Sequence, residues 1–515
     1  MFKLRSYQQE AVNKTIAYIN KCVDPCLLEL ATGAGKSLII AEIAKHIKTV
    51  SNKKVLCLAP SKELVEQNRE KYLAYGEPAS MFSASAGKKE MNHSVVFGSP
   101  VSVLNSIEKF GPQFSAVIID EAHGISETIK KIILAMKDHN PKLRVIGLTA
   151  TPYRTNSGYI YSVDHNNELV PESETRSPYF YKLLHRVTAN ELIELGYLTT
   201  PVADIQDGYD TSLIDFKKQD TIDQAFEGKG RLTASIVAQV VEMSIGKMGV
   251  MFFAATIQHA QEIMESLPSS AKLVTGKTPK KERESIIKSF KARGFKYLVN
   301  VAVLTTGFDA PHVDVVAILR ATESPGLLQQ IIGRGLRLHP DKNECLVLDF
   351  AENIERHGLE DNLFDPDINV SFSNGEKIHI DAECPLCSTT NVFSGRKNDE
   401  GFTVDVNGYF RDLAGESIID EETKKPMPAH YGRKCQGATL IKGHHVQCDY
   451  RWSFKACTEC DHENDIAARY CKECKAELID PNLKLQIEFK RMKSSPRLLS
   501  TDKVKSWFCQ EWTSA

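Results

Sequence analysis

No run of apolar residues in this sequence approaches the ~18 that a membrane span needs. The opening, Met1-Phe-Lys-Leu-Arg-Ser-Tyr7, has no apolar stretch of signal-peptide length. A protein of the cytoplasm, with no membrane partner, is expected. A surplus of one charge is also missing: 64 Lys+Arg stand against 66 Asp+Glu, a net charge of −2. Bulk electrostatics therefore give no reason to bind a polyanion, and any such site must be local. Low-complexity segments are absent, and 42% apolar with 25% charged residues excludes a disordered or collagen-like chain. Cysteine is sparse along most of the chain. Five of the 13 (Cys22, Cys26, Cys57, Cys345 and Cys509) are scattered, and the other eight crowd between Cys384 and Cys474. That distribution excludes a secreted disulfide scaffold, which is short and Cys-dense throughout, and points to one metal-binding segment.

At roughly 150 residues per domain, 515 residues predict three to four domains. Over residues 1–186, apolar runs at Cys26–Leu30, Val55–Leu58, Val95–Phe97, Ala116–Ile119 and Arg144–Leu148 alternate with helical patterns. The pattern recurs over 187–351, with runs at Gly249–Phe253, Lys272–Val274, Tyr297–Val303, Val313–Leu319 and Glu344–Leu348. Such alternation predicts two tandem α/β domains, each a mostly parallel sheet covered by helices. Residues 352–382 lack periodicity and read as a linker. The Cys-rich module occupies 383–480, and a basic tail fills 481–515.

Leu30-Ala-Thr-Gly-Ala-Gly-Lys-Ser37 follows an apolar strand and precedes a helical pattern. A Gly-rich turn lets backbone N–H groups approach phosphate oxygens, and the helix N-terminus adds partial positive charge. Thr32, Gly33, Ala34, Gly35, Lys36 and Ser37 are the candidate nucleotide-binding residues, with Lys36 on the β/γ-phosphates and Ser37 on Mg²⁺. The first position of the usual phosphate-loop pattern is Leu30 here rather than glycine. Asp120-Glu-Ala-His123 ends a strand, where α/β sheets place ligands. Asp120 can hold Mg²⁺ through water, and Glu121 can orient and deprotonate an attacking water. Alone, an Asp-Glu pair is usually a solvated loop; the phosphate loop upstream gives it meaning. In the second domain, Gln330-Ile-Ile-Gly-Arg-Gly-Leu-Arg337 sets Arg334 and Arg337 on one face if helical. There is no second Gly-Lys-Ser/Thr loop, so these arginines are expected to reach the γ-phosphate across a cleft. A salt-bridged surface helix is the plainer alternative.

The order of these motifs resembles that of superfamily 2 helicase-type motors with two RecA-like domains. Arg5-Ser-Tyr-Gln8 is similar to the Q-motif, Ala31–Ser37 to motif I, Leu58–Leu64 to motif Ia and Phe97–Pro100 to motif Ib. Asp120–His123 resembles motif II of the DEAH type, Leu148–Pro152 motif III, Met251–Ala255 motif IV, Leu304–Asp309 motif V and Gln330–Arg337 motif VI. Leu4–Val12, Leu298–Asp314 and the Cys457–Cys471 stretch look like the bacterial RadD family, associated with ATP hydrolysis and recombinational DNA repair. The resemblance implies ATP and Mg²⁺ as cofactors and DNA as partner. It implies that Gln8 reads adenine and that Arg5, Gly307 and Asp309 serve the nucleotide, with Asp309 on the ribose. Ser61, Gln67 and Ser99 become candidate contacts to nucleic acid. Thr149 and Thr151 join them as residues coupling hydrolysis to grip. A cap or turn is the plainer reading of any one Ser or Thr.

Cys457-Thr-Glu-Cys460 and Cys471-Lys-Glu-Cys474 make a C-x₂-C pair of pairs that predicts a closed, tetrahedral Cys₄ zinc site. Cys384, Cys387, Cys435 and Cys448 predict a second Zn²⁺, two per chain, with His444 and His445 as rival ligands. Arg433, Lys434, Lys442, Arg451 and Lys455 interleave with Tyr431, Tyr450, Trp452 and Phe454. Such interleaving suits nucleic-acid contact, a small aromatic core, or docking of a repair partner, a role the basic tail could share. Glu488-x-Lys490 is half of a nuclease motif without an acidic partner at suitable spacing. The expected function is a DNA-stimulated ATPase in repair. The alternatives are a restriction or defence motor working with a separate nuclease and an ATP-gated docking scaffold.

Overall fold

A computed structural model describes residues 3–154, 157–206, 208–304, 308–357, 363–364, 379–396 and most of 398–478. The positions left out of that last stretch are 399, 400, 413, 420–424, 442, 443, 466, 467, 469 and 477. Gly307, Lys442 and the basic tail lie outside the described residues, as do the side chains of His444 and His445.

The first domain is built on strands β1 (Cys26–Leu30), β2 (Lys54–Leu58), β3 (Ser80–Ser83), β4 (Lys88–Lys89), β5 (Val95–Gly98), β6 (Phe114–Asp120) and β7 (Arg144–Thr149). A small hairpin, β8 (Tyr153–Arg154) with β9 (Gly158–Tyr159), follows, and then β10 (Tyr161–Val163) and β11 (Phe180–Val187). Nine of these form one sheet in the order β10-β11-β1-β7-β6-β2-β5-β3-β4, parallel except where β4 turns back on β3. Every residue of β1 is buried, the signature of a strand covered on both faces. The second domain holds β12 (Thr200–Ile205), β13 (Gly249–Ala254), β14 (Lys272–Val274), β15 (Tyr297–Asn300), β16 (Val313–Leu319) and β17 (Glu344–Asp349). They form a wholly parallel sheet ordered β12-β17-β16-β13-β15-β14.

All ten apolar runs lie in or overlap these strands. Strand β11 extends through Val187 and sheet membership changes before Thr200. The helix Ala189–Glu194 lies between them. The two sheets share one buried apolar cluster running from Leu28, Leu30 and Ile118 to Met251, Phe253 and Leu328.

The stretch expected to be a linker departs from that expectation at both ends. Asn353–Arg356 is helical, with Asn353 and Ile354 buried. Asp349 anchors that turn, accepting from Ile354 N at 2.7 Å, Asn353 Nδ2 at 2.9 Å and Ala351 N at 3.1 Å. One helical turn is too short to show periodicity. Downstream, His379–Glu383 pairs antiparallel with Thr390–Ser394, and the first two cysteines of the module sit in the turn between them.

Candidate active site

The helix Lys36–Ser51 starts with no side-chain cap: its N-cap is Gly35, at φ 80°, two residues after Gly33 at φ 91°. These left-handed positions favour glycine. They turn the backbone so that the first amides of the helix remain free for an anion. Packing enforces glycine as well. A Cβ on Gly35 would stand 2.6 Å from Gln8 Nε2, and one on Gly33 would stand 2.7 Å from Leu198 Cδ2. Gln8 braces the loop, donating from Nε2 to Ala34 O at 2.8 Å and accepting from Arg5 N at 2.9 Å. Tyr7 Oη also donates to Ala34 O, at 3.0 Å. The amide expected to read adenine thus also braces the loop and caps its own helix. Arg5 lies over the ring of Tyr197, 3.9 Å from its centroid.

Asp120 closes β6, and Glu121 follows in the left-handed region at φ 51°. Asp120 is buried and held on both oxygens: Oδ2 accepts from Asn68 Nδ2 at 2.8 Å, Oδ1 from Glu121 N at 3.0 Å. Burial, and next the Glu121 charge, raise its pKa to about 6. Burial pushes the Glu121 carboxyl up too, but Lys36, His123 and Arg334 outweigh it and hold the group below its ordinary value. Lys36 Nζ stands 3.7 Å from Glu121 Oε1, and His123 Nδ1 3.5 Å from Oε2. That Oε2 is buried and has no hydrogen-bond partner. A buried carboxylate oxygen beside a phosphate loop fits a site for an attacking water and for Mg²⁺ held by Ser37 and Asp120.

His123 shares a hydrogen bond with Thr149 Oγ1 at 3.0 Å, and Thr149 Oγ1 accepts from Thr151 N at 3.1 Å. Both threonines are fully buried. They have no surface to offer a phosphodiester, which corrects their assignment as contacts; they link His123 to the domain interface. Arg154 supports the same turn, donating from Nε to His123 O at 2.6 Å and from Nη2 to Ile125 O.

The second domain meets this site through two glycines. A Cβ on Gly326 would lie 3.0 Å from Thr151 Cβ, and one on Gly333 would lie 2.8 Å from Thr32 Cβ. Tyr153 Oη donates to Gln329 Oε1 at 2.7 Å across the interface. Gln330 is buried in the helix Pro325–Ile332. Arg334 and Arg337 are not on one helical face: the helix ends at Ile332, and both arginines lie in the irregular segment beyond it. Packing keeps residue 335 a glycine, because a Cβ there would stand 2.2 Å from Cys345 Sγ. Arg334 is buried, donates to Phe308 O at 2.5 Å and interacts electrostatically with Glu121. Burial, then the Arg337 charge, lower its pKa to about 10. Arg337 forms an ion pair with Asp309, so two sequence candidates meet.

The remaining candidates, Ser61, Gln67 and Ser99, lie in and beside other helices of the first domain. Ser61 caps the helix Lys62–Leu73, accepting from Leu64 N at 3.2 Å. Ser99 donates to Ser102 Oγ at 2.9 Å, and Gln67 is half-buried. Sequence reasoning missed Asn68, Tyr7 and Arg154. Asn68 had a signal: it is the polar residue on a buried helix face made by Leu64, Val65 and Tyr72.

The eight cysteines form two quartets, Cys384/Cys387/Cys435/Cys448 and Cys457/Cys460/Cys471/Cys474, with no histidine in either among the described residues. Sγ–Sγ distances are 3.7 Å (Cys384–Cys448), 3.5 Å (Cys387–Cys435), 3.5 Å (Cys457–Cys474) and 3.6 Å (Cys460–Cys471). Four thiolates at the ~2.3 Å Zn–S distance of a tetrahedral site stand about 3.8 Å apart, so both quartets fit zinc. Trp452 is core, packed against Phe393, His430 and Tyr450. Tyr431 is exposed, with Arg396 over its ring. Arg433 and Lys434 make ion pairs, the first with Glu355 and Asp465 and the second with Asp449.

Comparison with known proteins matches residues 1–154 to the family described as type III restriction enzyme, res subunit. Residues 234–339 match the helicase conserved C-terminal domain. A provisionally named mitochondrial ATP-dependent helicase of Schizosaccharomyces pombe is 29% identical over 374 residues, covering 69% of this chain and 59% of the relative. A provisionally named ATP-dependent helicase of Saccharomyces cerevisiae is 26% identical over 365 residues, covering 67% of this chain and 51% of the relative. The chain thus spans just over half the length of these relatives. Among solved structures, a fragment provisionally assigned as the HsdR subunit of a type I restriction enzyme from Vibrio vulnificus shares the fold. Its TM-score is 0.53 at 20% identity, covering 71% of this chain and 67% of that one.

Proposed function

We propose that this chain, an ATP-dependent motor of the superfamily 2 helicase type, runs on DNA and acts in recombinational repair. The observation that carries the motor reading is the seating of Gly333 on Thr32, which brings Arg334 into the field of Glu121. In this reading Lys36 and the uncapped amides of the loop hold the β- and γ-phosphates. Mg²⁺, when bound by Ser37 and Asp120, screens phosphate charge. Glu121 orients the water and takes its proton. Arg334 and Arg337 balance charge on the transferred phosphoryl group. Asp309 serves the ribose, and Gln8, which also braces the loop, reads adenine with Arg5 beside it. Ser61, Gln67 and Ser99 face the track, and the Thr149–His123 contact couples grip to hydrolysis. Two Zn²⁺ per chain shape the Cys module. The repair role rests on the resemblance of Leu4–Val12, Leu298–Asp314 and Cys457–Cys471 to the RadD family, and a cytoplasmic location is proposed with it.

The test is ATP turnover without polymer, then with single-stranded, duplex and forked DNA and with RNA, with Lys36→Ala as control. Stimulation by a DNA form supports the reading. Stimulation by RNA alone removes DNA as track, and indifference to every polymer removes the track altogether. The match of residues 1–154 to a restriction subunit favours one second reading, a defence motor with a separate nuclease. Co-purification of a nuclease subunit from the native host would select it.

A further inference from the structure

Three consecutive residues outside every motif each touch a different part of the machinery. Tyr197 carries the Arg5 guanidinium on its ring. Leu198 is the neighbour that a Cβ on Gly33 of the phosphate loop would strike. Thr199 is buried and bonds twice to the arginine segment: its N–H donates to Leu336 O at 2.7 Å, and its hydroxyl donates to Arg337 O at 3.2 Å. Behind them, the backbone N–H groups of Tyr197 and Leu198 both donate to Leu192 O, at 2.7 and 3.1 Å. The run is thereby pinned to the helix Ala189–Glu194. The chain crosses from the first sheet to the second through this segment, between Val187 and Thr200.

The neighbouring restraints show why Thr199 matters. Lys342 Nζ fixes the near side of the arginine segment, donating to Gly335 O at 2.8 Å, Val313 O at 2.9 Å and Pro311 O at 3.0 Å. Past Gly335, the two bonds from Thr199 take hold at Leu336 and Arg337. The carbonyl of Arg337 is thus held by a residue whose chain neighbour packs on the phosphate loop. Any displacement of Gly33 on filling the loop meets Leu198 first, and Leu198 moves Thr199 through one peptide unit.

We propose that Leu198 and Thr199 form a relay that sets the reach of Arg337 according to the state of the phosphate loop, Thr199 acting as a positioning residue. This rests on the motor reading above. Valine at 199 keeps the shape and removes the hydroxyl; serine keeps the hydroxyl. Thr199→Val should lower kcat by about tenfold, the value of one lost hydrogen bond in a transition-state arrangement, with KM for ATP within about twofold. Thr199→Ser should restore kcat. Adding Thr199→Val to Arg337→Ala should cost nothing further, because both act through one group. Leu198→Ala, which keeps the hydroxyl, should raise KM for ATP and lower kcat together. Full turnover by Thr199→Val overturns the relay, as does a loss that adds to that of Arg337→Ala, or a Leu198→Ala enzyme with wild-type KM. Should Thr199→Val not fold, the Leu198→Ala constants decide alone. Failure of the motor reading is distinguishable, because there Lys36→Ala and Arg337→Ala would themselves turn over normally.

Discussion

Each sheet domain has a strand running into a helix at a buried site, and the two junctions end differently. After β1 the helix Lys36–Ser51 begins on Gly35 with no side-chain cap, and its first amides are left for a ligand. After β13 the helix Ile257–Glu265 begins on Thr256, whose hydroxyl accepts from His259 N at 3.1 Å. The same architecture thus yields a binding end in one domain and a closed end in the other. The second domain contributes through irregular chain beyond a helix C-terminus, where Arg334 and Arg337 sit. The difference lies in which orphan groups each helix leaves unsatisfied.

The strongest way to divide the two halves is to strip zinc. The quartets belong to a module docked on the second domain, where Gln447 N donates to Ser235 Oγ at 3.3 Å and Asp210 N to Gln436 Oε1 at 3.0 Å. Chelation should remove about 10–16 kcal/mol of apparent binding energy per site and unfold the module. Nucleotide binding by the first domain should persist. Metal analysis with a fluorescent-nucleotide titration checks both, and a content well below two zinc per chain contradicts the two-quartet assignment.

Next in size are the two cations of the cleft. Arg337→Ala should slow turnover by roughly 10³–10⁵ with nucleotide affinity nearly intact. Lys36→Ala should slow it by about 10²–10³ and weaken affinity as well. Equal loss of affinity in both would erase the division of labour between the domains.

A smaller effect is set by pH. The folded pKa of Asp120, about 6, lies above its ordinary 3.8, so between these values the folded chain keeps a proton that the unfolded chain has released. The stability contributed by this group is greatest below 3.8 and declines as pH rises to about 6. Thermal unfolding of nucleotide-free protein across that window should show the slope, and Asp120→Asn should flatten it. An unchanged slope in the variant would assign it to other groups.

The smallest effect tests the closed junction itself. Thr256→Ala should cost about 1 kcal/mol in denaturant unfolding and leave ATP turnover unchanged. A change in KM for ATP would show that the second junction also feels nucleotide.

The sequence made the strands and the chemistry legible for different reasons. Cys26–Leu30 or Val313–Leu319 announces itself because a doubly covered parallel strand is apolar throughout. Ser80–Ser83, Phe180–Val187 and Thr200–Ile205 escaped because serines, Lys182, His185, Arg186 and Pro201 break the apolar run. The phosphate loop and the Asp120-Glu121 pair stand out because their chemistry restricts residue type. Arg334 and Arg337 were legible as residues but not in geometry, since the helix stops at Ile332 with Gly333 as its cap, ahead of both. Tyr197, Leu198 and Thr199 act through packing and bonds to backbone groups that many residue types make, so pattern alone does not mark them.

Arg433 joins Glu355, beyond the last strand of the second sheet, to Asp465 between the paired cysteines of the second quartet. One guanidinium thus fastens three pieces of chain. Burial would lower its pKa, but the Glu355 and Asp465 carboxylates prevail and raise it above the ordinary value, so it stays charged throughout any working pH. The Cys module is thereby fastened to the second domain, and in the proposed motor a turn of that domain would carry the module with it.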